Sequence, residues 1–200
     1  MELPDESHRR LFIGLGLDEE GAERLMRRVR PFLDGEGIRV YEPRDLHLTL
    51  GFLGSFPEER RPQLQRILQE EIRGLDAPEL VLGGIGAFPS NEEPVAVYVG
   101  VKESDEVPGR LWALRNRAWQ AALSLGWRPQ PAERRGSFRP HVTVARMPRG
   151  SSAPLDAGLA RLDFDQRWLP VDVHVVESRP GRPEERYRSL AAIPLVVRPG

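Results

Sequence analysis

The chain contains no cysteine. That excludes disulfides, thiolate zinc sites, iron–sulfur clusters and a cysteine nucleophile. Lysine is almost as scarce. Lys102 is the single example, and every other one of the 29 basic residues is arginine. Arginine at nearly every basic position reflects composition, because forked recognition of phosphate needs only a few such residues. Long apolar runs are missing too, and none approaches the roughly 18 residues of a membrane span. The opening stretch, Met1 to Arg10, is polar and charged, unlike a signal peptide, so the cytoplasm is the expected compartment. Charge of one sign does not dominate: the net charge is −1. No global positive field advertises long nucleic acid, although a small anion or an RNA end needs only a local cluster of positive groups.

What is present suits a folded unit. The chain has 200 residues, 40% of them hydrophobic and 30% charged. That composition supports a packed core, and one bilobal domain over residues 1–200 is expected. Apolar runs at 10–17, 47–53, 80–88, 95–101, 141–147, 171–178 and 187–197 read as strands, with a shorter one at 38–41. Helices are expected from Asp18, a good N-cap, to about Phe32, from Pro57 to about Arg73, and from Pro108 to about Leu125. A short helix is expected within 151–162. Neighbouring strands such as 80–88 and 95–101 suit a hairpin rather than a parallel sheet. The expectation is an α+β fold of two pseudo-symmetric lobes, each with an antiparallel sheet and outer helices, and an active cleft between the sheets.

One pattern occurs twice. His47-Leu48-Thr49-Leu50 and His141-Val142-Thr143-Val144 are both His-x-Thr-x segments in apolar strands. Residues two apart on a strand share a face. His47 and Thr49 therefore point one way and Leu48 and Leu50 the other; His141 and Thr143 are likewise set against Val142 and Val144. Two facing lobes would bring two imidazoles and two hydroxyls into one cleft. That set suits phosphodiester hydrolysis, which needs a base for water, an acid for the leaving oxygen and donors for the non-bridging oxygens. Imidazole titrates near pH 6.5, so one neutral and one protonated ring can coexist near neutrality. Zinc is the rival use of paired histidines. Neither motif carries a nearby Asp, Glu or Cys to complete a ligand set, so no metal is expected.

These residues resemble the two-histidine (2H) phosphoesterases, and more narrowly the RNA 2′,3′-cyclic phosphodiesterases of the LigT/ThpR type within the 2′-5′ RNA ligase family. The likeness spans most of the chain. Leu46 to Gly54 resembles the family's first motif block and Phe138 to Arg146 its second. Arg10–Ile13, Gly84–Pro89 and Tyr187–Leu195 resemble its opening, central and closing segments. The resemblance implies hydrolysis of an RNA 2′,3′-cyclic phosphate end to a 2′-phosphate, with no cofactor. It implies His47 as acid and His141 as base, roles that the sequence leaves exchangeable. It also implies phosphate binding by Thr49, Thr143 and Arg146, and stacking of a base on Phe52. A 2′-5′ RNA ligase using the same site, and a non-catalytic RNA-end or nucleotide-binding module, are the alternatives. The implied partner is RNA with a 2′,3′-cyclic phosphate terminus or a cyclic nucleotide. No membrane or protein partner is expected, and a monomer is.

Strand alternation conflicts with two of these positions. Phe52 and Arg146 lie an odd number of steps from their histidines. A regular strand aims them away from the cleft, and only a strand end, a twist or a bulge turns them in. Val40-Tyr41 and Asp45 stand where the family often has Trp and Asn, and Ser55 where it often has an acid. Gly83, Gly84 and Gly86 lack the spacing of a dinucleotide fingerprint and read as points of strand bending. His174 reads as structural and His8 as uninvolved. Trp112 and Trp119, seven apart on a helix, read as packing residues. Arg134, Arg135 and Arg139 read as a solvated loop, with guidance of an RNA backbone as the alternative.

Overall fold

The apolar runs become nine strands of one sheet in a computed structural model that describes residues 7–105, 108–129, 138–148 and 154–198. These are β1 (His8–Gly16), β2 (Arg39–Val40), β3 (His47–Pro57), β4 (Leu80–Pro89), β5 (Pro94–Glu103), β6 (His141–Arg146), β7 (Gln166–Trp168), β8 (Asp172–Ser178) and β9 (Tyr187–Pro194). Their order across the sheet is β7-β4-β5-β6-β3-β1-β8-β9, with β2 added against β6. All the strand pairings are antiparallel. Strand β7 was not anticipated. Its three residues are too few for periodicity to register, although Trp168 is buried within it.

The fold is α+β, and its two lobes are visible in the strand order. Strands β3, β1, β8 and β9 form one half, and β6, β5, β4 and β7 the other. Each half thus begins at the seam with a His-x-Thr-x strand and runs outward through three more. The halves join where Leu48 of β3 pairs with Val142 of β6. Both side chains are fully buried. The two antiparallel halves are therefore continuous, curled into one sheet.

Four α-helices accompany the sheet among the described residues: α1 (Glu19–Val29), α2 (Arg61–Ile72), α3 (Arg110–Ser124) and α4 (Ala157–Ala160). The Asp18 carboxylate caps α1 by accepting from the Gly21 amide at 2.7 Å. Acids in the first turn and Arg27 and Arg28 in the last suit the helix dipole. Leu25, Met26 and Val29 fall on its buried face.

The connections cross between lobes. Helix α1 follows β1, yet its Gly21 carbonyl accepts from Gln166 of β7 at 2.9 Å, and Arg28 donates to the Asp163 carbonyl at 2.8 Å. Helix α3 follows β5, yet Trp119 donates from its indole nitrogen to the Leu50 carbonyl of β3 at 2.9 Å. One buried cluster accordingly runs from Leu25 and Leu82 through Leu48 and Val142 to Leu114 and Val175. Truncation at the seam should be felt by the whole unit. Leu48→Ala is expected to destabilise the protein by about 2–5 kcal/mol, read as a lower urea midpoint with an unchanged slope. A loss below about 1 kcal/mol would show that the seam tolerates repacking.

Candidate active site

Reading outward from the Leu48–Val142 pair places His47 across from Thr143 and Thr49 across from His141. Opposed residues on antiparallel strands have Cβ atoms about 4.5–5.5 Å apart. Each histidine therefore neighbours the other motif's threonine, on the face opposite the buried leucine and valines. The doubled motif becomes one patch of two imidazoles and two hydroxyls, as strand alternation predicts.

Both imidazoles are fixed in the same way. His47 Nδ1 lies 2.7 Å from the Asp45 carbonyl, and His141 Nδ1 lies 2.7 Å from the Arg139 carbonyl. A carbonyl oxygen only accepts, so each Nδ1 carries the proton and donates. The lone pair of the neutral ring is left on Nε2, and a second proton would sit there too. Each ring can thus act as base or acid through one nitrogen held in a set direction. Aromatic side chains fix the planes. His47 stacks on Phe12 at 4.5 Å and meets the edge of Tyr187 at 4.6 Å. His141 packs on Phe88 at 5.0 Å and Tyr98 at 5.3 Å.

The parity conflict at Phe52 and Arg146 is resolved by two bulges. Along β3 and β1, Thr49 pairs with Gly14 and Gly51 with Ile13, so Leu50 is an extra residue. Phe52 then pairs with Phe12, the ring beneath His47, and returns to the cleft face. Along β6 and β5, Thr143 pairs with Tyr98 and Ala145 with Val97, so Val144 is the extra residue and Arg146 also returns. A regular strand would send both side chains the other way. Both bulges have visible holds. The Leu50 carbonyl takes the Trp119 indole N–H, and a Cβ on Gly51 would lie 2.9 Å from that indole nitrogen. The Val144 carbonyl takes the Tyr41 amide at 2.9 Å.

Two residues not singled out from the sequence connect the motifs. The Tyr41 phenol is hydrogen-bonded to both Tyr187 and Arg146. Tyr187 in turn packs on His47. Burial raises the pKa of the Tyr41 phenol, but the bonds from Tyr187 and Arg146 and the charges of Arg146 and Arg186 outweigh burial and lower it. Burial, with the neighbouring Tyr41, pushes Tyr187 up. Tyr187 therefore donates and Tyr41 accepts. The signal in the sequence was slight: an isolated Tyr41 before the first block and a Tyr opening the last strand.

The remaining expectations have definite places. His174 of β8 pairs with Gly14 in the row that contains Thr49, so it faces the cleft side and is half-buried. It shares a hollow of about 230 Å³ with His47 and bonds Ser189 at 3.0 Å. His8 is exposed. Trp119 is half-buried against the core and holds the β3 bulge, whereas Trp112 is exposed and packs edge-on to Phe138. Gly83 and Gly84 interrupt the β4–β5 register, where Gly84 has φ +70°, which is the expected strand bend. Arg139 is exposed beside His141; Arg134 and Arg135 lie outside the described residues. Among the described residues, no group of three or more His, Asp or Glu is arranged to hold a metal ion.

Paired imidazoles and hydroxyls on two joined antiparallel lobes define a two-histidine phosphoesterase. The model of the 2′-5′ RNA ligase superfamily matches residues 17–182, and the chain belongs to that superfamily. A relative from Archaeoglobus fulgidus is 31% identical over 140 residues, 70% of this chain and 73% of that protein. One from Thermus thermophilus is 34% identical over 154 residues, 72% of this chain and 71% of that protein. Both carry the name RNA 2′,3′-cyclic phosphodiesterase. Among solved structures, a protein of Thermus thermophilus superposes with a TM-score of 0.71 at 26% identity, covering 93% of this chain and 97% of that one. Escherichia coli LigT complexed with 3′-AMP shares the fold, with a TM-score of 0.67 at 21% identity over 96% of this chain and 99% of that one.

Burial lowers the pKa of His47 to about 4, against the opposing bond to Asp45, and the His141 charge lowers it further. Burial also lowers His141, aided by the charge of Arg146, and His174. The folded protein therefore holds these rings neutral, while the unfolded chain takes up protons near pH 6.5. From about pH 6.5 down to about 4 the unfolded state binds more protons, so stability falls as pH falls. Thermal midpoints at constant ionic strength should drop between pH 7 and 5, above most carboxylate titration. His47→Gln should flatten that drop, and a flat profile in the parent protein would contradict the burial argument.

Proposed function

We propose that this protein hydrolyses the 2′,3′-cyclic phosphate at an RNA end to a 2′-phosphate, without a metal. The supporting observation is the matched fixing of His47 and His141, each Nδ1 bonded to the carbonyl two residues earlier, with a threonine opposite each ring. The names of the relatives point to the same substrate class. One neutral imidazole takes a proton from water at Nε2 as the water oxygen attacks phosphorus. The other, protonated, gives its Nε2 proton to the departing 3′ oxygen, and the phosphate stays on the 2′ oxygen. Thr49, Thr143 and Arg146 hold the non-bridging oxygens as charge builds there. Phe52 offers its ring to a base. Burial favours neutral rings, so the anionic substrate supplies the charge that lets one imidazole keep its proton.

The resemblance gives the acid role to His47, and leaving-group chemistry tests it. His47→Ala and His141→Ala should each lower turnover by roughly 10²–10⁴-fold while the fold survives. A substrate with sulfur in place of the 3′ leaving oxygen needs little protonation on departure. It should restore His47→Ala far more than His141→Ala; the reverse pattern would exchange the roles. Activity should persist in EDTA, and loss with chelator would point to a metal enzyme. With an RNA 5′-hydroxyl in place of water as the nucleophile, the same groups would open the cyclic phosphate into a 2′-5′ linkage and release the 3′ hydroxyl, the second reading that the superfamily's name supports.

A further inference from the structure

Beyond the two histidines a hollow of about 710 Å³ opens on the side of the β8–β9 loop. Six arginines line it: Arg10, Arg39, Arg146, Arg179, Arg182 and Arg186. They come from four places in the sequence, namely β1, β2, β6 and the β8–β9 loop. Glu177 and Glu185 neutralise Arg179. None of the other five has a carboxylate within 4.0 Å among the described residues, although the charge of Arg186 is felt by buried Asp45. One guanidinium nitrogen of Arg186 is buried without an acceptor while the group lies 4.3 Å over the Tyr41 ring. Five like charges around one hollow repel each other, and an anion that enters relieves that repulsion.

The hollow is continuous with the catalytic patch. Tyr187, which packs on His47, and Arg146, at the end of the second motif, both line its wall. Arg10 lies 4.7 Å over the Phe52 ring at its edge. A volume of 710 Å³ falls within the range of about 300–1,000 Å³ that suits ligands larger than one phosphate. An RNA with a cyclised 3′ end extends in one direction only, through the phosphodiesters on its 5′ side.

We propose that this arginine-walled hollow is a second binding site, holding the backbone phosphates of the nucleotides 5′ to the cyclised end. The protein is then selective for oligonucleotide ends over mononucleoside cyclic phosphates. This rests on the catalytic reading above and adds the length of the substrate to it. Arg39 and Arg182 carry it most independently, since both are exposed and both lie outside the two His-x-Thr-x strands.

The test compares an RNA tetranucleotide and a mononucleoside, both ending in 2′,3′-cyclic phosphate, with the full-length protein and its Arg39→Ala/Arg182→Ala variant. The variant should raise KM for the tetranucleotide roughly tenfold and change KM for the mononucleoside less than twofold. Equal effects on both substrates, or none on either, would overturn the proposal. Binding of a tetranucleotide ending in 2′-phosphate, followed by fluorescence anisotropy over a range of salt, gives a reading independent of turnover. Each lost phosphate contact lowers the slope of log K against log salt by about 0.7, so the double variant should lose about 1.4. An unchanged slope would overturn the site even where hydrolysis is normal. A parent protein that binds with the full slope but hydrolyses neither substrate would fail the catalytic reading and leave this site standing.

Discussion

Leu48 of β3 meets Val142 of β6 at the seam, and the arrangement of the two His-x-Thr pairs depends on that pairing. Antiparallel register is strict wherever one face is buried, because a slip by one residue turns every side chain over. Both seam residues are fully buried, so a slip would bring His47 or His141 into the core and expose Leu48 or Val142. The hydrophobic effect thus sets the position of the polar groups. The crossing of α1 and α3 between lobes reinforces the register, since each lobe is backed by a helix that the other lobe's strand leads into. A cleft between separate bodies would change width as they moved. Here the two imidazoles and two hydroxyls stand on two hydrogen-bonded neighbours in one sheet.

The parts of this site that could be read from the sequence are those governed by alternation alone. His47, Thr49, His141 and Thr143 sit in regular strand, and their leucine and valine neighbours declare which face is core. Phe52 and Arg146 lie beyond a bulge, where alternation gives the wrong face. The bulge is not encoded locally: the Leu50 carbonyl is claimed by an indole 69 residues away on α3, and the Val144 carbonyl by the amide of Tyr41. A local rule has no access to such partners. The family resemblance put Phe52 and Arg146 on the cleft side, where the bulges turn them, because it carries tertiary information that periodicity lacks. The same limit hid Tyr187, whose position against His47 depends on β9, three strands away in the sheet, and β7, which pairs with the edge of β4.

The two motifs are alike in backbone and unlike in surroundings. Each has the same carbonyl bond to Nδ1, the same cross-strand threonine and the same extra residue after it. Both rings are enclosed by aromatic side chains, Phe12 and Tyr187 at His47 and Phe88 and Tyr98 at His141, but only His141 is also lowered by the charge of Arg146. Enclosure and a nearby cation both disfavour the imidazolium, but they respond differently to an anionic ligand. A phosphate that binds Arg146 neutralises the charge that disfavours protonation of His141, whereas for His47 it must itself supply the favourable charge within an apolar enclosure. The two imidazoles therefore respond differently to an anionic ligand although burial lowers both.

Arginine abundance and arginine placement call for separate explanations. Nearly every basic residue in the chain is arginine, so finding arginine at any basic position says little. Composition does not explain why five with no described carboxylate within ion-pair distance converge on one hollow when so many others are paired, as Arg9 is with Glu58 and Glu177, or Arg66 with Glu70. With a net charge of −1 the protein has no long-range field to gather nucleic acid. Attraction is confined to about a Debye length, roughly 8 Å at physiological salt, and so to the hollow and the rim of the two-histidine patch. A weakly charged surface with one concentrated positive hollow would hold an RNA end by a few backbone phosphates and have little hold on the interior of a long strand. That is the selectivity an enzyme acting only on termini needs.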